Sequence, residues 1–315
     1  MNSKFKWQRY EYNPVLPAVL ATWMESQTST PDVLEMDKHY FLYLSGRRGG
    51  HSRIGVATIN KKAFNGKIWN INQKPVIDIG RHGAWEADNV TEPAAVKVNG
   101  TVYLYFTAIS KKGEKAICVA TSSDGIHFET YTQNPVLNAQ NPEIVFHENK
   151  FYLFHTRPRR VGGFEIHLAT SKDGYNFSNY QSRPVLATGR KEKWDGHSVI
   201  TPRIFKEDNT FYMIYCGSDS LDDYPQDAGL ATSNDLFSWA RYRQNPIFSR
   251  GEEKAWDEGA IKFTTIEKIN KIYYLWYSGY GMSILKQAKN GLDLNIGKSQ
   301  IGLAHLEAEY FFVKP

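Results

Sequence analysis

The chain repeats itself, and that repeat limits its fold more than any other feature. A tetrad of Asn, Lys or Arg, then Pro, then two apolar residues occurs five times: Asn13-Pro14-Val15-Leu16, Lys74-Pro75-Val76-Ile77, Asn134-Pro135-Val136-Leu137, Arg183-Pro184-Val185-Leu186 and Asn245-Pro246-Ile247-Phe248. Its spacing is roughly sixty residues, shortened once to about fifty, which is the signature of a stacked or radial repeat architecture. After the tetrad comes a Trp and, eight residues on, a Pro that opens a strand: Trp23 and Pro31, Trp85 and Pro93, Trp194 and Pro202. Trp256 has Thr264 in that place, and the third copy keeps Pro142 but has no Trp. An aromatic strand follows, starting at Tyr40, Val102, Phe151, Phe211 and Tyr273, then a small-residue strand from Ile54, Ile117, Ile166, Ala228 and Ile301. Two copies then turn through Asp124-Gly125 and Asp173-Gly174, residues suited to hairpin turns. A last strand carries Trp69, Phe128, Phe177 or Trp239.

Four short strands per copy, with turn residues between them, make antiparallel hairpins rather than crossover helices. Aromatic residues are 14% of the chain, which favours strands. The expected fold is all-β: one domain over 1–315, a five-bladed β-propeller with four-stranded antiparallel blades. The blades run roughly over 17–72, 78–131, 137–182, 188–243 and 249–307. The fifth copy stops after its third strand, while Lys6-Trp7-Gln8-Arg9-Tyr10 reads as an unattached fourth strand. The N-terminal strand, within 5–12, is therefore expected to close the last blade and remove an open sheet edge.

The net charge of +5 is too small for a dedicated nucleic-acid surface. Cys118 and Cys216 lie in apolar runs and read as buried thiols. The first residues contain no apolar h-region and no run reaches membrane length, so neither export nor membrane spanning is expected, and a cytoplasmic location with no membrane partner is the expectation. The oligomeric state is not legible.

A repeat supplies its own control: a residue in every copy serves the blade, and a residue in one copy needs another reason. The acid after Trp (Glu86, Asp195, Asp257) recurs and reads as structural. At the opening Pro, strand alternation sets the residues before and after it on one face. Those pairs are Thr30 and Asp32, Glu92 and Ala94, Asn141 and Glu143, Thr201 and Arg203. Asp32, Glu92 and Glu143 are thus expected to converge on one mouth, with Arg203 beside them, and to shift one another's acidity as acid/base chemistry requires. The loops before the opening Pro add Asp88, His197 and Glu258. The loops after the aromatic strand add Arg47, Arg157 and Arg159, forked cations suited to carboxylate or phosphate. Trp23, Tyr280 and Tyr224 are candidates for stacking on a sugar at the rim. The expected catalytic set is Asp32, Glu92, Glu143 and His197. The expected binding set is Asp88, Arg203, Arg157, Arg159, Arg47, Glu258 and Trp23. No metal ligand set is evident and no cofactor is expected, with room left for a structural Ca2+ or a bound phosphate.

The tetrad, the Trp-acid loop ending in Pro, the aromatic strand closing on Ser-Gly and the Ile-Gly-Leu-Ala-Thr-like strand resemble the five-bladed propeller glycosidases of families 43, 32, 68, 117 and 130, across essentially the whole chain. Family 43 places Asp before the opening Pro in blades one and three and Glu-Gly-Pro in blade four. This chain has Thr30, Asn141 and Val199-Ile200-Thr201-Pro202 there. Families 130 and 117 are the better analogies; the first includes phosphorylases that hold phosphate with Arg and His, and the second can use a His acid. The resemblance implies a glycoside hydrolase or phosphorylase acting on a small glycoside or glycan end by carboxylate acid/base catalysis. Asp32 or Glu92 would be the base and Glu143 or His197 the acid, and the substrate a carbohydrate, anionic in one version. The alternative is a sugar-binding or glycosyl-transferring propeller in surface-polysaccharide assembly, recognising an anionic or nucleotide-activated sugar.

Overall fold

The computed structural model describes residues 5–81, 83–219, 227–281 and 299–311. They form five antiparallel sheets in chain order, the five blades of a β-propeller. The inner strands are Gln27–Glu35, Asn89–Val98, Gln140–His147, Ser198–Glu207 and Ala260–Ile269. Each continues by hairpins into a second and third strand, and short pairs such as Asn70–Ile71 and Ala240–Arg241 form the outer edges. Blade five takes its outer strand from the start of the chain, where Gln8–Arg9 pairs antiparallel with Gln300–Glu307. Among the described residues the only helical pieces are two single 3-10 turns, and no helix is long and apolar enough to cross a membrane.

The repeated residues serve the blade. The last residue of every tetrad bridges the third strand of the blade before it: Leu16 to Ile301, Ile77 to Ile54, Leu137 to Ile117, Leu186 to Ile166 and Phe248 to Ala228. Where the tetrad starts with Asn, its side-chain amide behaves like a further strand residue. The Asn134 amide accepts from Val119 N at 2.9 Å and donates to Val119 O at 3.0 Å; Asn13 does the same with Leu303, and Asn245 with Leu230.

The Trp residues lie over paired glycines. A Cβ on Gly46 or Gly55 would collide with Trp23, one on Gly217 or Gly229 with Trp194, and one on Gly279 or Gly302 with Trp256. Trp23 is buried and its indole N–H donates to Asn72 O at 3.0 Å. It belongs to the core, which corrects the expectation that it stacks on a sugar at the rim. The acid after Trp also has a structural partner set. Asp195 accepts from Tyr215 Oη at 3.0 Å and Arg241 Nε at 2.8 Å, and Asp257 from Tyr277 Oη and Arg9 Nε at 2.9 Å each.

Candidate active site

Every inner strand carries one extra residue near its start. The register slips between Ser29 and Asp32, Thr91 and Ala94, Gln140 and Glu143, Ile200 and Arg203, and Lys262 and Thr264. At each slip one non-glycine residue adopts left-handed backbone: Thr30 (φ 54°), Glu92 (58°), Asn141 (53°), Thr201 (52°) and Phe263 (53°). That conformation costs on the order of 1–2 kcal/mol per L-residue. Hydroxyls from the preceding blade offset it. Thr30 N donates to Ser278 Oγ at 2.9 Å, Glu92 N to Ser45 Oγ at 3.1 Å and Asn141 N to Thr107 Oγ1 at 3.0 Å.

The bulge overturns the alternation expected from sequence. Residues before and after the opening Pro do not share a face, because the extra residue breaks the two-residue period. In blades one and two the position before Pro, Thr30 and Glu92, lines an open mouth, whereas Asp32, Glu143 and Arg203 after it point into a sealed hub.

Arg203 fills the hub. Its Nη1 donates to Pro142 O at 2.9 Å and to Glu143 Oε2 at 3.2 Å, and its Nη2 donates to Pro93 O at 2.9 Å. Its Nε stands 3.6 Å from Asp32 Oδ1. Asp32 Oδ2 accepts from Ala95 N and Glu143 Oε1 from Ile204 N, both at 2.7 Å. Arg203, Asp32 and Glu143 are 4%, 6% and 6% exposed, so the cluster is enclosed. Burial raises both carboxyls, Asp32 to about 6 and Glu143 to about 8, against the pull of Arg203; Asp32 raises Glu143 further. One guanidinium faces two acids, and desolvation outweighs the charge it supplies. The structure therefore brings Asp32, Glu143 and Arg203 together as a closing network across blades one to four, not as groups open to a substrate.

Glu92 stands apart from them. It lines a mouth pocket of about 290 Å³ with Thr30, Phe263, Tyr280, Asp88, Arg47, Lys115 and Lys262. Glu92 Oε2 accepts from Thr107 Oγ1 at 2.6 Å and from Asn141 N at 3.0 Å, while Oε1 has no partner among the described residues. Asp88 is tied at 3.2 Å to Lys111 Nζ and lies 3.4 Å from His51 Nδ1. The pocket thus sets two carboxyls, Glu92 and Asp88, among three cations.

The other expected residues lie elsewhere. His197 sits under the loop after blade three's second strand, its carbonyl accepting from Arg159 Nη1 at 3.1 Å. Arg159 also faces Glu165 at 3.6 Å, and Arg157 donates to Asn179 Oδ1 at 2.7 Å on the outer strand, so both brace blade three. Glu258 accepts from Lys254 N within its own turn. None of these four lines the mouth pocket. Tyr224 falls outside the described residues. Sequence reasoning missed Thr107, Lys115, Lys262 and Phe263. Thr107 had a readable signal, the hydroxyl at the same place as Ser45 and Ser278. Among the described residues no group of three or more His, Cys, Asp and Glu stands together as a metal site.

Solved structures similar to this chain include glycoside hydrolases. One, from Bacteroides ovatus, superposes with a TM-score of 0.75 at 14% identity, over 96% of this chain and 94% of that one. Another comes from family-130 glycoside hydrolases that target β-1,2 mannosidic linkages in Candida mannan, with a TM-score of 0.74 at 16% identity over 96% and 94% of the two chains. A thermostable family-43 glycoside hydrolase gives 0.66 at 16% identity over 92% of each. Two uncharacterized Mycobacterium tuberculosis proteins, from strains CDC 1551 and H37Rv, are 30% identical over 121 residues; the match spans 36% of this chain and 40% of their length. Residues 120–283, just over half the chain, match the family described as beta-1,4-mannooligosaccharide phosphorylase. That segment runs from the third strand of blade two to the second strand of blade five and includes Glu143 and Arg203 of the hub. The chain belongs to glycoside hydrolase family 130.

Proposed function

We propose that this protein is a glycoside phosphorylase that removes a sugar from a glycan end, with Glu92 as the proton donor. Inorganic phosphate attacks the anomeric carbon, the glycosidic C–O bond breaks, and the Glu92 carboxyl delivers its proton to the leaving oxygen. The products are a sugar 1-phosphate and a glycan one residue shorter. This gives Glu92 the acid role where sequence reasoning expected a base.

One observation carries the reading: the Glu92 carboxyl, whose Oε1 has no partner among the described residues, shares its pocket with Arg47, Lys115 and Lys262. Inverting hydrolysis uses a second carboxylate across a water, about 6.5–9.5 Å from the first. Phosphate replaces both that water and its base, and it calls for cations instead. Asp88, the other carboxylate lining the pocket, is held by Lys111. Family membership supports the same chemistry and suggests a β-mannoside as the glycan.

The test is Glu92→Gln. Loss of a general acid lowers kcat by roughly 10²–10⁴ on an oligosaccharide, with KM little changed. An aryl glycoside whose leaving group needs no proton should lose far less. Equal turnover of variant and parent on the oligosaccharide would remove Glu92 from the mechanism.

A further inference from the structure

Blade two departs from the others in how it treats its Trp. In blades one, four and five the indole lies over a pair of glycines, and a Cβ on any of them would strike it. In blade two the same two positions are Ala108 and Cys118, both fully buried. Their side chains occupy the slot that the glycines leave open elsewhere. Trp85 packs against the core that holds them and also forms the wall of a separate pocket of about 370 Å³, with Ser110, Lys111, Lys112 and Glu114 around it. Trp85 is half-buried, and no protein acceptor for its indole N–H is seen among the described residues.

This pocket adjoins the mouth. Lys111 lines it, Asp88 lines the mouth, and the two side chains meet at 3.2 Å. The loops run together as well: Ala87 and Ser110 belong to the outer pocket, Asp88 and Ile109 to the mouth. An aromatic face with a few polar groups at its margin is the composition that holds a sugar ring, whose C–H face packs on the indole while its hydroxyls reach the rim.

We infer that the Trp85 pocket is a distal glycan subsite, which takes a sugar ring of an oligosaccharide whose reacting end lies in the mouth. Trp85 supplies the stacking surface, and Lys112 and Glu114 hydrogen-bond the hydroxyls. This rests on the mouth being the glycosyl site, and the two claims fail separately.

The experiment is calorimetric titration of the Glu92→Gln protein with β-1,4-linked mannobiose and mannohexaose, repeated with Trp85→Ala and Trp85→Phe added. The hexaose should bind about tenfold more tightly than the biose. Trp85→Ala should abolish that gain and leave biose affinity unchanged, and Trp85→Phe should keep part of it. A melting temperature equal to the parent's shows that a variant is folded; if Trp85→Ala is not, the comparison rests on Trp85→Phe and Glu114→Ala. No gain with length, or a gain that survives loss of the aromatic ring, overturns the subsite. Absent biose binding with hexaose binding still dependent on Trp85 supports the subsite and counts against the mouth.

Discussion

Arg203 and Glu92 divide the work that sequence reasoning gave to one cluster. Arg203 joins Asp32 of blade one, Pro93 of blade two, and Pro142 and Glu143 of blade three. Replacing it with Met leaves two enclosed carboxyls without their cation. Breaking a buried pair in this way costs about 3–5 kcal/mol. Urea unfolding of Arg203→Met should show a loss of that size; a loss below about 1 kcal/mol would mean that the hub is not structural. The hub also gives stability a pH dependence. Asp32 is held near 6 and Glu143 near 8 in the folded protein, and half-buried Glu267 is raised to about 7. In the unfolded chain these groups release their protons near pH 4, at ordinary carboxyl values. Between those limits the folded state holds more protons, so stability falls as pH rises from about 4 to about 8. Thermal melts should follow that slope, and Glu143→Gln should flatten it. A slope of opposite sign would contradict the raised pKa values. At this scale the sequence named the residues of the hub but not their burial, because nothing in the order of Pro-Asp, Pro-Glu and Pro-Arg reports a slip in register.

The bulge is the element that separates hub from mouth. A one-residue slip exchanges the faces of a strand, so alternation counted across Pro31, Pro93, Pro142 and Pro202 assigned the flanking side chains to one surface. The opening Pro marks the place of the slip, but its presence does not declare an extra residue. Other elements were legible in full. The tetrads, the aromatic strands and the small-residue strands are each where the repeat located them, since each recurs with its packing partner. The tetrad Asn is a clear case. Asn134→Ala removes both hydrogen bonds to the fully buried Val119. Val119 N then loses its acceptor, at about 1–3 kcal/mol, while Val119 O keeps the Tyr131 amide. Denaturant unfolding should report a loss in that range, and an unchanged midpoint would rule out the strand-like role of this amide. Lys74 and Arg183 begin the other two tetrads, whose last residues keep the same backbone bridge.

Closure of the ring shows why the whole molecule could be read so far ahead. Arg9 reaches Asp257 and Tyr277 as Arg241 reaches Asp195 and Tyr215, so the strand at the start of the chain completes blade five with the same contacts that blade four makes within one copy. Blade one has Ile71, Met24 and Leu44 in those three places, an apolar set exchanged together for an ionic one. The mouth was less legible because it draws on different blades: Arg47 from blade one, Glu92 and Lys115 from blade two, and Lys262 from blade five, a copy whose inner strand lacks the Pro that flagged the others. The most direct test of the account is ³¹P NMR of the protein incubated with a β-1,4-linked mannooligosaccharide and inorganic phosphate. Growth of a sugar 1-phosphate resonance, matched mole for mole by shortened glycan and absent with Glu92→Gln, is the expected result. Free sugar released at the same rate without phosphate would contradict it.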